Sequence, residues 1–212
     1  METHLLQRLA YPARSVSAIV HVLGLSSFSA SFRYLRQVPS PMSHGFGGDF
    51  QYLTIIGLAL ATATFGIGFL ADLTLSPWLF RIKNVFSVCS APLEVLVSIL
   101  YWGLCAINKN FGFHAMPAVM LTLDLILLSP PWTVKVYGAM SISVAVAFLY
   151  WGWLELCFTK NGWYPYPLLG LLTTWQRVVL FGFSAAMMAG STIALKWVYG
   201  KVNGIGKFKR DA

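Results

Sequence analysis

Residues 50–71 read FQYLTIIGLALATATFGIGFLA, an unbroken run of 22 residues without a charged side chain between Asp49 and Asp72. At about 1.5 Å of rise per residue, a helix of that length crosses the roughly 30 Å hydrocarbon core of a bilayer. Its small residues are ordered: Thr54, Gly57, Ala61, Thr64 and Gly68 recur at three- and four-residue steps and form one stripe. Small-residue stripes let membrane helices approach closely, so this face is expected to meet other helices. Thr54 should then point into a bundle.

Outward from that run, five more segments alternate with short polar gaps. Residues 15–32 lie between Arg14 and Arg33 and are rich in serine in their second half. A loop with Pro39, Pro41, His44, Gly45, Gly47 and Gly48 follows. After 50–71 comes a proline-containing connector, 72–85, with Arg81 and Lys83, and then 86–107, apolar except for Glu94. Residues 112–128 stop at Ser129-Pro130-Pro131, and the last two spans are 135–157 and 174–199. The expected fold is all-α: an integral membrane bundle of six transmembrane helices forming a single domain over 1–212. Composition agrees, at 57% hydrophobic and 10% charged residues, where soluble domains carry about 25% charged. Mean hydropathy is +0.67.

The net charge of +8 does not indicate nucleic acid, because the basic residues fall in the gaps between spans and in a C-terminal cluster of Lys201, Lys207, Lys209 and Arg210. With six spans both termini share one side. Arg8, Arg14, Arg81, Lys83, Lys135 and Lys196 join the C-terminal cluster there, against Arg33, Arg36, Lys109, Lys160 and Arg177 on the other. The positive-inside rule puts both termini in the cytoplasm, with the endoplasmic reticulum or plasma membrane as the expected location. The first twelve residues carry Glu2, His4 and Arg8 and lack an apolar core, so the first span reads as an uncleaved anchor. Cys89, Cys105 and Cys157 fall inside apolar segments without paired spacing. They read as small hydrophobes, and no metal site or cofactor is expected.

This topology starts helices two and four on the same, non-cytoplasmic side. Thr54 in helix two and His114 in helix four therefore lie at similar shallow depth. An ionisable residue inside a span is costly and marks function by default; those to weigh are His21, Glu94, His114, Asp124 and Glu155. His21 and Glu94 read as structural. Asp124 lies ten residues past His114, about 15 Å deeper, where it either pairs with a neighbouring helix or meets the deep end of a ligand. Glu155 lies near the level of His114 and is a candidate to orient its imidazole or a carboxylate at the interface. Neither a Gly-x-Ser-x-Gly elbow nor histidine-rich boxes are present, which disfavours a serine esterase and a di-iron desaturase. From the residues alone, packing is the better reading of Thr54.

Gly47-Gly48-x-Phe50-x-x-Leu53-Thr54, then Phe65-Gly66 and Asp72-Leu73, resemble the second helix of the androgen-induced-protein family. Gly112-x-His114 with Asp124 resembles its fourth helix, and Trp153, Gly162, Tyr166-Pro167, Arg177 and Gly182 continue the match in order. His44 after Ser43 resembles the family's first loop, so the likeness covers about residues 43–199. It departs in the N-terminal 42 residues, the short connector 72–85, the acids Glu94 and Glu155, and Tyr164 where a tryptophan is expected. Members are multipass membrane hydrolases that cleave fatty acid esters of hydroxy fatty acids with a threonine and a histidine. The resemblance implies Thr54 as nucleophile and His114 as general base of an acyl-enzyme mechanism. It also implies a branched lipid ester reaching the site from the bilayer. Arg177, near the non-cytoplasmic interface, is a candidate for the substrate's free carboxylate or for ordinary interfacial anchoring. Two other classes compete: a proton-coupled carrier using His114, Asp124, Glu94 and Glu155, and a non-catalytic lipid-binding protein.

Overall fold

The computed structural model describes residues 14–104, 111–132 and 135–203, together with Leu6. Cys105, Lys109 and the basic residues Lys207, Lys209 and Arg210 lie outside the described residues. Among the described residues all regular structure is helical: α1 (Arg14–Gln37), α2 (Leu53–Thr74), α3 (Pro77–Leu104), α4 (Phe111–His114), α5 (Met116–Leu123), α6 (Val136–Asn161), α7 (Pro167–Leu171) and α8 (Thr174–Val202). Helices α1, α2, α3, α6 and α8 are long and apolar enough to cross a membrane, while Met116–Leu128 is a shorter apolar helix. This is the expected all-α membrane bundle.

Side-chain contacts fix how the helices alternate. Arg14 Nε on α1 donates to the Asp72 carbonyl at the end of α2 (2.9 Å). Asn203, just after α8, donates to the Ile126 carbonyl (3.0 Å), and Tyr199 to the Ser129 carbonyl (3.2 Å). The start of α1, the ends of α2 and α8 and the segment around Ser129 therefore share one end of the bundle, here the tail end. The starts of α2, α4 and α8 and the end of α6 share the other, the loop end. Leu58, Phe65, Leu121 and Phe28 are fully buried where α1, α2 and α5 meet, whereas Leu149, Val85 and Trp78 are largely exposed. Large apolar side chains on the outside suit a lipid environment and are unusual facing water in such number.

Helix α3 departs most from the expected boundaries. It begins at Pro77 instead of 86, absorbing most of the proposed connector. Proline is favoured in the first helical turn, where its missing N–H has no partner to lose. The extension carries Lys83 inward, where it is 1% exposed, so this lysine is not one of the charges flanking the bilayer. The fourth span is interrupted at Ala115, with Pro117 opening the helix beyond, and ends in a π-turn over Asp124–Leu128.

The loop before α2 contains two short 3₁₀ turns, Pro41–His44 and Gly48–Gln51. Gly47 has φ +89°, a left-handed conformation that L side chains resist. The loop is tied to α6: Asn161 bonds the Phe46 backbone at both N and O (2.7 and 3.0 Å), Trp153 donates to the Phe50 carbonyl (3.0 Å), and Tyr150 donates to the Gln51 carbonyl (2.8 Å). The first amide of α2, on Leu53, donates to the Tyr166 hydroxyl (3.2 Å). These ties set where α2 begins, and hence where Thr54 stands.

Candidate active site

The small-residue stripe of α2 meets α3. Thr64 donates to the Leu60 carbonyl and lies 3.2 Å from the Ser90 hydroxyl. Two steps up the stripe, a Cβ built on Gly57 would collide with Glu94 Oε1. Glycine at 57 is what admits this carboxyl. Glu94 is fully buried, and neither of its oxygens has a hydrogen-bond partner among the described residues. Seven residues further along α3, on the same face, Tyr101 stacks on the His114 ring at 3.4 Å between centroids and 10° between planes. His114 is half-buried, with its Nδ1 enclosed and unpartnered.

Thr54 sits one turn above Gly57 and is half-buried. Thr62, Thr64 and Thr74 of the same helix all donate to the carbonyl four residues back, each at 2.7 Å, the usual use of a helical threonine hydroxyl. Thr54 makes no such bond. Its counterpart carbonyl, on Phe50, precedes the helix and accepts from Trp153. The loop end of the α2–α3–α4 junction thus holds a free hydroxyl, an imidazole with an unmet nitrogen and a carboxyl with two unmet oxygens. Buried polar groups are nearly always bonded, so the open atoms of Glu94 and His114 are candidates for contact with something besides the protein itself. A hydroxyl and an imidazole are the groups that nucleophilic attack with proton transfer requires.

The other expected site residues have partners inside the protein. Asp124 Oδ2 is 2.6 Å from Lys83 Nζ and its Oδ1 is 3.2 Å from His21 Nε2. His21 Nδ1 is 2.6 Å from Asp72 Oδ2, which also accepts from Ser17 at 2.9 Å. Asp72, His21, Asp124 and Lys83 are each at most 2% exposed. Each carboxylate of this quartet thus has a basic group beside it, Lys83 at Asp124 and His21 at Asp72. The quartet joins α1, α2, α3 and the π-turn at the tail end. His21 therefore has the structural place expected of it, and Asp124 has the neighbouring-helix pairing, well away from His114.

Glu155 and Arg177 pair with each other at 3.0 Å. Trp151 and Tyr164 also donate to the Glu155 carboxylate (2.7 and 2.8 Å), and Arg177 donates to the Leu169 carbonyl and lies 2.6 Å from the Tyr164 hydroxyl. Burial, together with the bond to the carboxylate, pushes the Tyr164 phenol up to about 12. Glu155 is thus engaged between α6 and α8, while His114 rests on α3, so the geometry does not bring Glu155 to the imidazole.

Sequence reasoning gave Glu94 a structural part and passed over Tyr101. Their signal was present as the seven-residue spacing between them, with Ser87 and Ser90 below, giving α3 one polar face opposite the stripe of α2. Among the described residues no cluster of histidine, cysteine and acidic side chains could hold a metal.

A family model described as FAR-17a/AIG1-like protein matches residues 16–200. A UPF0641 membrane protein of Schizosaccharomyces pombe is 25% identical over 204 residues, covering 88% of this chain and 92% of that protein. No solved structure matches the chain.

Proposed function

Because this chain belongs to the FAR-17a/AIG1-like family, we propose that it is an intramembrane hydrolase of fatty acid esters of hydroxy fatty acids. Thr54 is its nucleophile and His114 its general base. The observation that carries the reading is an unengaged Thr54 hydroxyl, in a helix whose other threonines are bonded, at the end of the bundle where the His114 ring keeps an unsatisfied nitrogen. The Thr54 oxygen attacks the ester carbonyl as its proton passes to His114. The imidazolium then protonates the departing hydroxy fatty acid, and water, deprotonated by the same imidazole, releases the acyl group. The substrate reaches the loop end laterally from the bilayer, in a single six-helix domain with both termini in the cytoplasm.

Asp124, Glu155 and Arg177 take no direct part in this scheme. Arg177 receives a substrate carboxylate only in exchange for Glu155. The buried quartet of the tail end is what a proton carrier would require, and that second reading is tested alongside. A palmitic acid ester of a hydroxystearic acid is given to purified protein in lipid nanodiscs, and the same protein in vesicles is assayed for proton flux. Thr54→Ala and His114→Ala should each lower turnover by at least about 100-fold while leaving the unfolding temperature nearly unchanged. Full turnover by Thr54→Ala sinks the mechanism, and flux abolished by Asp124→Asn in a protein without hydrolysis establishes the carrier.

A further inference from the structure

We infer that Glu94, as an uncharged carboxylic acid, is the hydrogen-bond donor that receives the negative charge formed on the substrate's carbonyl oxygen. The inference rests on the nucleophile assigned to Thr54 and supplies what that assignment lacks, an oxyanion donor. Three observations converge on it. Glu94 is fully buried in a spanning helix and no basic group pairs with it among the described residues. The acids of the tail end are all engaged by Lys83, His21 or Ser17. The Glu94 carboxyl rests on Gly57, the stripe position one turn from Thr54.

An unpaired carboxylate inside a bilayer is far costlier than the neutral acid. A neutral acid carries an O–H donor, and a carboxylic acid held neutral by an apolar site is an established kind of oxyanion stabiliser. The spacing also fits. Cβ positions three residues apart on a helix lie about 5–6 Å from each other, and Glu94 Oε1 lies against the Gly57 Cβ position. An attack distance of about 3 Å, a carbonyl bond of about 1.2 Å and a donor about 2.9 Å beyond need a separation of the same order.

In the addition step the Thr54 oxygen bonds to the carbonyl carbon and its proton goes to His114. The π pair moves onto the carbonyl oxygen, which accepts the bond from Glu94 while Glu94 keeps its proton. Collapse restores the carbonyl and breaks the bond to the hydroxy fatty acid, whose oxygen takes the proton from His114. Water reverses the sequence, so Glu94 is never consumed. Gly57 acts through it: an alanine there displaces the carboxyl.

Glu94→Leu should lower kcat on the palmitoyl hydroxystearate by about 100- to 1,000-fold with little change in KM, and slow covalent capture of Thr54 by a fluorophosphonate in parallel. Glu94→Gln, which keeps an N–H donor, should retain about a tenth or more of wild-type kcat. The unfolding temperature of Glu94→Leu should equal or exceed wild type, since an apolar side chain replaces an unpartnered buried one; a structural role predicts a fall. Infrared difference spectra at pH 7 should show a protonated-carboxyl stretch in wild type that is absent from Glu94→Gln. Wild-type kcat in Glu94→Leu, a dead Glu94→Gln, or an ionised carboxylate in the infrared overturns the donor role. An inactive Thr54→Ala beside an active Glu94→Leu removes the donor and leaves the nucleophile, whereas an active Thr54→Ala removes both.

Discussion

Four threonines of α2 separate by what their hydroxyls do. Thr62, Thr64 and Thr74 satisfy themselves on the preceding turn, and Thr54 does not. Thr62→Ala should therefore leave turnover within about twofold of wild type, and Thr54→Ser, which keeps a hydroxyl, should retain measurable turnover where Thr54→Ala does not; steady-state kinetics on the same ester check both. His21 contrasts with His114 in the same way. Removing His21 leaves two buried carboxylates sharing one lysine, and breaking a buried pair typically costs about 3–5 kcal/mol. His21→Ala should lower the unfolding temperature in nanodiscs well below that of His114→Ala, which removes a ring stacked on Tyr101 and no ion pair. Equal losses in the two variants would refute the structural role of His21. The type of each residue was legible from the sequence. The partners that engage His21 were not, because Asp72 and Asp124 lie far from it in sequence and only the packing of α1 against α2 and the π-turn brings them to it.

Among the elements, the loop before α2 matters more than its length suggests. It holds the start of α2 against α6 through Asn161, Trp153 and Tyr150. A neutral hydrogen bond contributes about 1 kcal/mol, and the two that Asn161 makes to Phe46 are exposed, so Asn161→Ala should destabilise by about 1 kcal/mol. It should also lower kcat several-fold by loosening the start of the helix that carries Thr54; denaturation and kinetics on one preparation separate the effects. Unchanged kcat in a destabilised variant would mean that the loop does not position Thr54. Helix α3 was predicted nine residues too short because Pro77, Arg81 and Lys83 look like connector residues in a linear reading. A proline at a helix start and a lysine matched to Asp124 across the bundle are both compatible with continuation. The π-turn at Asp124–Leu128 had no sequence signal at all.

For the molecule as a whole, the start of α1 and the end of α8 lie at the tail end, and we propose from the balance of basic residues that this end faces the cytoplasm. An N-glycosylation acceptor inserted after Gly162 should be modified in microsomes, and one appended after Ala212 should not; the reverse pattern overturns the orientation. The sequence by itself determined the membrane class and the placing of the apolar helical segments. Hydrophobic run length and parity of crossings are properties of the linear chain, and a bilayer converts them directly into architecture. Only the tertiary structure decided which buried polar groups were closed off and which were left open. It matched Asp124 with Lys83 and His21, turned Glu155 toward Arg177, and left Glu94 alone against Gly57. That division depends on contacts within a few ångströms between helices far apart in sequence, where the cost of an unpaired polar group is set by its surroundings in space. The run at 50–71 announces a spanning helix from its letters alone; that Gly57 serves as the seat of a carboxyl is a fact about α3.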